Sequence, residues 1–391
     1  MQLPQPPRLR MRVQVLLFTA VRLVVNISTR MIYPFLNTFA NGLGVDLAAI
    51  SLAVTARSFT GALSPFITPI ADKRGRKLSM LLGLGLFTLG SGLMAIWPSY
   101  TTFFISVNLS FLGMYVYVPT MQSYLGDHVH DSRRGLALAL VEWGWAFSFI
   151  LGMPLIGLVM DRYGWQAPFP ILAAAGLLSI FLIAWLIPNV LPPASENSSF
   201  WGNLRQVLQS PNARASLLVS LLLLAANEVI NLVFGAWLEQ SFGFKLAALG
   251  AASALIGISE MGGEISGGVF SDRMGRKKAV IIGMALIVVV SAALPFIGRS
   301  QFGAIAGLFL FYLAFEFADI AIISIMNGLI PEARATLMGA NVAAMSLGRM
   351  LGNLIAPFLF AVGFWLNSVA AIVLTLLALL ALTGIKEKRG I

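Results

Sequence analysis

Ionisable side chains interrupt several long apolar segments of this sequence, and residues placed in this way usually bind ions or substrates. Arg30 and Arg57 lie in two apolar segments of the N-terminal half. An isolated charge at the centre of a bilayer costs at least about 2.5 to 3.5 kcal/mol, so each needs a partner or a hydrated cavity. The other candidate binding residues lie in the C-terminal half: Glu228, Asn231, Glu260, Glu264, Glu316, Asp319 and Arg349.

Reversible protonation is the chemistry that suits these acids. A carboxylate held at mid-membrane can take up and release a proton at physiological pH. We expect this role for Glu228, Glu260 and Glu316, with Arg349 as the partner that an arriving proton or substrate displaces. For three acids nearer one end of their segments, a structural pair between helices is an equal alternative: Glu142, Glu264 and Asp319.

The arginines of the N-terminal half allow a second interpretation. Arg30 and Arg57 fall at similar depth in consecutive segments. Guanidinium groups bind carboxylates and phosphates through paired hydrogen bonds, which would suit an organic-anion carrier or a lipid flippase. Arg22 lies nearer the end of its segment, and we expect its side chain to extend to the cytosol.

Cysteine and histidine are almost absent from the sequence. It has no cysteine and two histidines, His128 and His130, in one predicted loop. Disulfides, thiolate metal sites and a cysteine nucleophile are therefore excluded, and a histidine metal site is disfavoured. A membrane-embedded enzyme would need such a constellation. We expect neither an enzyme nor a bound cofactor or metal.

The elements that must position these residues are membrane-spanning helices. Of 391 residues, 58% are hydrophobic and 11% charged, and the mean hydropathy is +0.86, whereas about a quarter of a soluble domain is charged. Apolar runs of about 20 residues recur, the length that crosses a bilayer as an α-helix. An all-α membrane protein with twelve spans is predicted: 14–39, 47–71, 78–97, 102–125, 136–160, 166–187, 215–238, 246–270, 279–298, 303–327, 336–360 and 364–384.

The distribution of basic residues predicts the orientation. Of 26 Lys and Arg, 19 would lie outside the spans on the side of the termini, and 3 on the other side. Cytoplasmic loops carry such an excess, so we expect both termini in the cytoplasm of a bacterium, with the spans in its inner membrane. This asymmetry accounts for the net charge of +10 without any nucleic acid.

A polar stretch rich in Pro, Ser and Asn separates two halves of similar length. Residues 188–214 are predicted to form a cytoplasmic linker between a six-helix bundle at 1–187 and another at 215–391. The halves also resemble each other at an offset of 200 residues, because Trp165 and Trp365 correspond, as do Gly152 and Gly352. Parallel repeats of this kind are typical of transporters with a site between the halves.

One charged loop occurs in both halves. "GGVFSDRMGRKK" (267–278) repeats the pattern of "PIADKRGRK" (69–77). Gly268 to Lys277 matches the pattern G-x-x-x-D-R-x-G-R-K of the major facilitator superfamily, and the first copy departs from it at Thr68 and Lys73. The whole chain therefore resembles this family. The resemblance, with a second charged signature after spans four and ten, assigns gating to Asp72, Gly75, Arg76, Arg134, Asp272, Gly275, Arg276 and Arg334.

The resemblance implies two pseudo-symmetric six-helix bundles that rock about a central cavity. "FILGMPLIG" (149–157) is similar to a loosened antiporter signature that keeps Gly152, Pro154 and Gly157, whereas Leu109 replaces the family's fourth-span Arg. The antiporter-like signature favours a drug/proton antiporter that exports small amphiphilic compounds, whereas the missing arginine departs from the family's usual proton-coupling site in the N-terminal half. We expect a monomer. Sodium as the coupling ion, an organic-anion or lipid carrier, and a nontransporting scaffold are the alternatives.

Overall fold

The computed structural model describes residues 8–63, 75–188 and 200–385. The regular elements within these ranges are helices, and α6 continues into α7 through a π-helical turn, Ser148–Gly152. In chain order the helices are α1 (Arg8–Arg30), α2 (Leu36–Leu43), α3 (Leu47–Ala62), α4 (Arg76–Ile96), α5 (Tyr100–His128), α6 (Asp131–Phe147), α7 (Met153–Tyr163), α8 (Pro168–Leu186), α9 (Phe200–Gln209), α10 (Pro211–Asn231), α11 (Phe234–Phe242), α12 (Leu246–Met274), α13 (Arg276–Ile297), α14 (Gln301–Met326), α15 (Arg334–Val362) and α16 (Phe364–Thr383).

The helices confirm the predicted all-α membrane fold. Within the described ranges, eleven helical segments are long and apolar enough to cross a bilayer, and the bent pair α2–α3 brings the number to as many as twelve.

We call the side at which α1 begins the N-terminal face and the other side the opposite face. α2 and α3 meet at the opposite face at an angle of 113°, because Gly44 ends α2 with φ +67° and Asp46 caps α3 through the Ala49 N–H.

The first span of each half is broken partway along its length. α1 ends at Arg30 and turn residues 31–35 precede α2, while α10 ends at Asn231 and residues 232–233 precede α11. Pro34 has no N–H to continue the helical ladder, so the Arg30 carbonyl accepts from the Tyr33 N–H instead. Discontinuous helices at matching positions are common around transporter binding sites.

Glycine turns confirm the internal repeat. Among the described residues, positive φ angles occur at six glycines that pair at offsets of 199 or 200 residues. Each pair ends or begins the same element in its half, and left-handed conformations of this kind favour glycine. The pairs are Gly44 with Gly243, Gly75 with Gly275, and Gly164 with Gly363. The exact division of the chain at 188 and 214 stays a prediction, with α9 occupying part of the linker.

The first charged loop ties its own half together. Gly75, with φ +95°, begins α4, and Arg76 Nε lies 3.3 Å from Asp127 Oδ2 at the end of α5. Lys77 Nζ donates to the Ala184 carbonyl of α8 at 2.6 Å. The loop therefore joins the third, fourth and sixth spans of the N-terminal half.

The second charged loop repeats these bonds. Arg276 Nη1 donates to the Ser324 carbonyl of α14 at 3.2 Å. Lys277 Nζ donates to the Ile385 carbonyl, just past α16, at 2.6 Å. Equivalent side chains thus bind equivalent helix ends in the two halves.

The role of these loops in gating stays a prediction. Asp72 lies outside the described residues, and the side chain of Asp272 is likewise not described. Arg134 and Arg334 lie exposed in the first turns of α6 and α15, at the N-terminal face.

The halves contact each other along two antiparallel helix pairs near the opposite face. In the α7–α12 pair, a Cβ on Gly157 would lie 2.5 Å from the Leu246 carbonyl oxygen, and one on Gly250 would lie 2.6 Å from the Met153 carbonyl oxygen. Such distances leave no space for a side chain. Glycine therefore allows the two backbones to touch.

The α3–α15 pair is closed by polar contacts. Ser51 donates its hydroxyl to the Asn353 carbonyl, and Asn353 Nδ2 donates to Ser58 Oγ at 3.4 Å. Beside this pair, the hydroxyl of Tyr115 on α5 lies 3.3 Å from that of Ser346 on α15. Together the two pairs form a seam, the inter-half contact made by α3, α7, α12 and α15, which closes the opposite face.

Replacing Gly275 with Ala is expected to destabilise the fold by about 1–3 kcal/mol, because φ +92° is strained for a residue with a Cβ. Thermal unfolding of the purified protein in detergent measures the change. Gly268→Ala is the matched control, because Gly268 belongs to the same motif, is helical and has open space around it. Equal stability of the two variants would contradict the prediction.

Candidate functional site

A buried ion pair joins the halves at the inner end of the seam. Arg30 Nη2 lies 2.6 Å from both carboxylate oxygens of Glu260, and the two side chains are 5% and 6% exposed. Glu260 follows Gly257 by three residues on α12, and Gly257 packs against Phe149 at the α6–α7 junction. At this burial, removing one partner leaves an uncompensated charge in apolar surroundings.

Aromatic rings and a backbone carbonyl hold Arg30 from the other side. Its Nη1 donates to the Trp145 carbonyl at 3.2 Å. The guanidinium carbon lies 4.2 Å from the Trp145 ring centroid and 3.4 Å from that of Phe149. Cation–π contacts of this kind are strongest where water is excluded. Arg30 is therefore fixed by α6, the π-helical turn and α12 together.

Arg57 is buried against neutral groups. Its Nη1 donates to the Thr29 carbonyl at 2.6 Å, and its Nη2 donates to Tyr33 Oη at 2.8 Å. The guanidinium carbon lies 4.7 Å from the Phe111 ring centroid. Nε is buried without a hydrogen-bond partner among the described residues. The described hydrogen bonds of this cation therefore end on uncharged oxygens.

Glu228 is the centre of a second polar cluster. Arg349 Nε lies 3.4 Å from its Oε1, and Asn231 Nδ2 donates to its Oε2 at 3.3 Å. Tyr33 donates to Oε1 through a long bond of 3.5 Å, and Tyr312 donates to Asn231 Oδ1 at 2.8 Å. Tyr33 thereby connects Arg57 in one half to Glu228 in the other.

The remaining predicted acids lie on α12 and α14, around the first ion pair. Glu264 and Glu316 are partly exposed, whereas Asp319 is buried and its Oδ1 has no hydrogen-bond partner among the described residues. Glu260, Glu264 and Glu316 lie close enough to interact electrostatically. In the described part of the chain, no group of three or more acidic or histidine side chains is arranged to hold a metal ion.

A family model for the Major Facilitator Superfamily matches residues 18–329 and 216–390 of this chain. The chain belongs to the Major Facilitator Superfamily. A relative, the uncharacterised transporter YceJ of Bacillus subtilis, is 27% identical, and the match covers 88% of each sequence.

Two solved structures share this major facilitator fold. A bacterial homologue of the human lysosomal transporter Spinster, in an inward-facing and unoccupied conformation, has a TM-score of 0.78 at 14% identity, covering 97% of this chain and 95% of the other. A D-xylose-proton symporter has a TM-score of 0.80 at 15% identity, covering 96% and 98%. As a member of the Major Facilitator Superfamily, this protein is an integral membrane secondary transporter and not an enzyme.

Three residues of the site are not among the binding residues predicted from the sequence: Tyr33, Trp145 and Tyr312. Tyr33 precedes Pro34, which breaks the first span, and this break was the available signal. Trp145 acts through its carbonyl just before the π-helical turn. Pro154 in the antiporter-like signature indicates an irregular helix there, but no sequence pattern identifies which carbonyl binds Arg30.

The expectation that Arg22 extends to the cytosol is wrong. Its side chain is 9% exposed, and Nη2 lies 2.5 Å from Glu142 Oε2 on α6. Gln122 Nε2 donates to the other Glu142 oxygen at 2.8 Å. An acid within reach on the neighbouring helix satisfies the charge where it lies, so the side chain need not extend to water. For Glu142 this fits the alternative of a structural pair.

Replacing Arg30 with Leu is expected to destabilise this major facilitator protein by about 3–5 kcal/mol, because Glu260 is left buried without its cation. The double variant Arg30→Leu/Glu260→Leu is expected to recover a large part of that loss. Thermal unfolding in detergent measures both, and Arg162→Leu, at an exposed arginine, is the control. Additive losses in the double variant would show that the two charges do not interact.

Proposed function

We propose that this major facilitator protein exports small amphiphilic compounds in exchange for protons. It would alternate between the arrangement closed at the opposite face and one closed at the N-terminal face. Family membership supports secondary transport, and the buried acids at the junction of the halves support protons as the coupling ion. The excess of Lys and Arg at the N-terminal face supports its assignment to the cytoplasm.

The Arg30–Glu260 pair is the observation that carries this proposal. It joins the halves where the seam ends, and it is stable only while Glu260 is charged. Protonation of Glu260 would leave Arg30 without its anion, so the closed arrangement would lose stability relative to one in which the halves separate. A proton that binds one arrangement better than the other shifts their populations, which is the requirement for coupling.

Glu228 supplies a second protonation site at the same junction. Its side chain is 2% exposed, whereas that of its partner Arg349 is 23% exposed. A substrate group that reaches Arg349 can therefore compete with Glu228 for it. The Trp145 ring, which lies against Arg30 and is partly exposed, provides apolar surface for the remainder of an amphiphilic molecule.

Transport in liposomes with an imposed pH gradient tests the proposal. The purified protein is expected to give substrate-dependent proton flux with members of a panel of amphiphilic amines and dyes. Gln in place of Glu228, Glu260 or Glu316 is expected to abolish coupling in at least one case, because a neutral amide cannot carry the proton.

Glu332→Gln, at an exposed acid, is the matched control and is expected to transport normally. Full gradient-driven transport by all three variants would refute these residues as the proton site. Transport driven by a sodium gradient alone would show that sodium, and not the proton, is the coupling ion.

The environment of Arg57 favours organic anions as a second candidate substrate class. Arg57 is buried, its described hydrogen bonds go to neutral oxygens, and Nε has no described partner. A guanidinium in this state can bind a carboxylate without first losing an acidic partner. In this alternative, the anion would bridge Arg57 and Arg30 at the junction.

Arg57→Gln is expected to weaken binding of an aromatic carboxylate about tenfold or more, because hydrogen bonds to charged groups contribute about 1.5–3 kcal/mol. Scintillation proximity binding with a radiolabelled aromatic carboxylate measures this effect, with Arg162→Gln as the control. If no member of a panel of organic anions binds the wild-type protein, this second candidate is excluded.

A further inference from the structure

The fifth span contains one residue more than a continuous α-helix would need. Between α6 and α7, the Met153 N–H donates to the Ser148 carbonyl, a bond across five residues that defines the π-helical turn. Such turns are rare and strained relative to an α-helix, and they occur frequently at functional sites. The turn lies beside Arg30, which packs on Phe149 within it.

Groups at both ends of this turn disfavour a regular α-helical hydrogen-bond pattern. Pro154 has no N–H, so the carbonyl one turn before it lacks its helical donor. At the other end, Ser148 Oγ donates to the Trp145 carbonyl at 2.6 Å. A hydroxyl that bonds back to a carbonyl of the preceding turn competes with the main-chain ladder and bends helices.

Arg30 reinforces the same irregularity from outside the helix. It donates to the Trp145 carbonyl at 3.2 Å while its Nη2 binds Glu260. The guanidinium can occupy this position only while Glu260 is present as an anion on the other side. The charge of Glu260 and the geometry of the turn are thus connected through a single side chain.

We propose that Arg30 transmits the charge state of Glu260 to the π-helical turn, which returns to α-helical geometry when the ion pair is lost. The inference rests on Glu260 as a proton site of the proposed transport cycle. Without Glu260 as its anion, Arg30 leaves the Trp145 carbonyl, and the main-chain ladder of the span closes again. Protonation in one half of the protein then changes the shape of a helix in the other half.

Several groups around the pair share its electrostatic environment. Arg30 faces Glu260 from α1, Tyr312 and Glu316 face it from α14, and Glu264 lies one turn away on α12. Arg30 is the only cation of this group bound directly to Glu260 among the described residues. Neutralising Glu260 therefore removes the contact that holds Arg30, whatever the charge of the surrounding acids.

The two ends of the fifth span are held by different neighbours. α7 is fixed to α12 by the glycine contacts of the seam, whereas α6 packs on α1, where a Cβ on Gly144 would lie 2.9 Å from the Thr19 carbonyl oxygen. Return of the turn to α-helical geometry would rotate α6 against α7 by about 100° and shift it along the axis by about 1.5 Å. The movement would be internal to the N-terminal half.

Distances between pairs of spin labels within that half test the inference. Because the chain has no cysteine, labels attach only to introduced pairs at exposed sites, Ala139 (α6) with Leu178 (α8), and Leu155 (α7) with Leu178. In Glu260→Gln, the 139–178 distance is expected to shift by several ångström, up to about 8 Å for a label at the helix radius. The 155–178 distance is expected to stay unchanged.

Further variants keep the test decisive. Deletion of Leu151, which is 51% exposed, removes one residue from the turn and should reproduce the shift without any change at Glu260. Wild-type protein titrated to low pH should reproduce it as well, whereas Glu332→Gln should match the wild type.

An unchanged 139–178 distance in Glu260→Gln and at low pH would overturn the proposal, as would equal shifts of both pairs. These distances do not report transport. If the label distances do not change, the liposome experiment still decides whether transport is coupled to protons. If transport is not coupled to protons, the label distances still decide whether Glu260 controls the turn.

Discussion

One buried charge pair between the two bundles is the constraint on which the arrangement depends. Elsewhere among the described residues, the halves meet through glycine backbone contacts and hydrogen bonds, which tolerate separation because each group can be hydrated or repacked. Arg30 and Glu260 differ, since neither can remain in its place alone without a large cost. In the proposed transport cycle, closure of the opposite face and the charge of Glu260 therefore depend on each other.

The site forms where the helices depart from regular geometry. The broken first and seventh spans bring Tyr33 and Glu228 together, and the π-helical turn in the fifth span adjoins the carbonyl that Arg30 binds. Irregular backbone at membrane depth is tolerated only where it is buried in protein or borders a hydrated cavity. The breaks thus supply polar backbone groups that a straight helix would keep within its own ladder.

Spans, repeat and family could be predicted because each leaves a mark along the sequence. Apolar length identifies the helices, and the glycines of the charged loops recur at a fixed offset. Pairing of charges could not be predicted, because it depends on how each helix is rotated and which neighbour it meets. Arg22 illustrates this limit: its depth suggested the cytosol, but Glu142 on α6 satisfies it. The sequence placed Arg30 and Glu260 at mid-membrane without indicating that they bind each other.

The lysine bonds of the charged loops have a mechanical consequence. Lys77 and Lys277 each form a hydrogen bond that joins the start of the third span to the end of the sixth span in the same half. Separating the third and sixth spans of either half would have to break these bonds. The third and sixth spans thereby provide a fixed frame within each half, so a shift of the fifth span is not absorbed by drift of these neighbours.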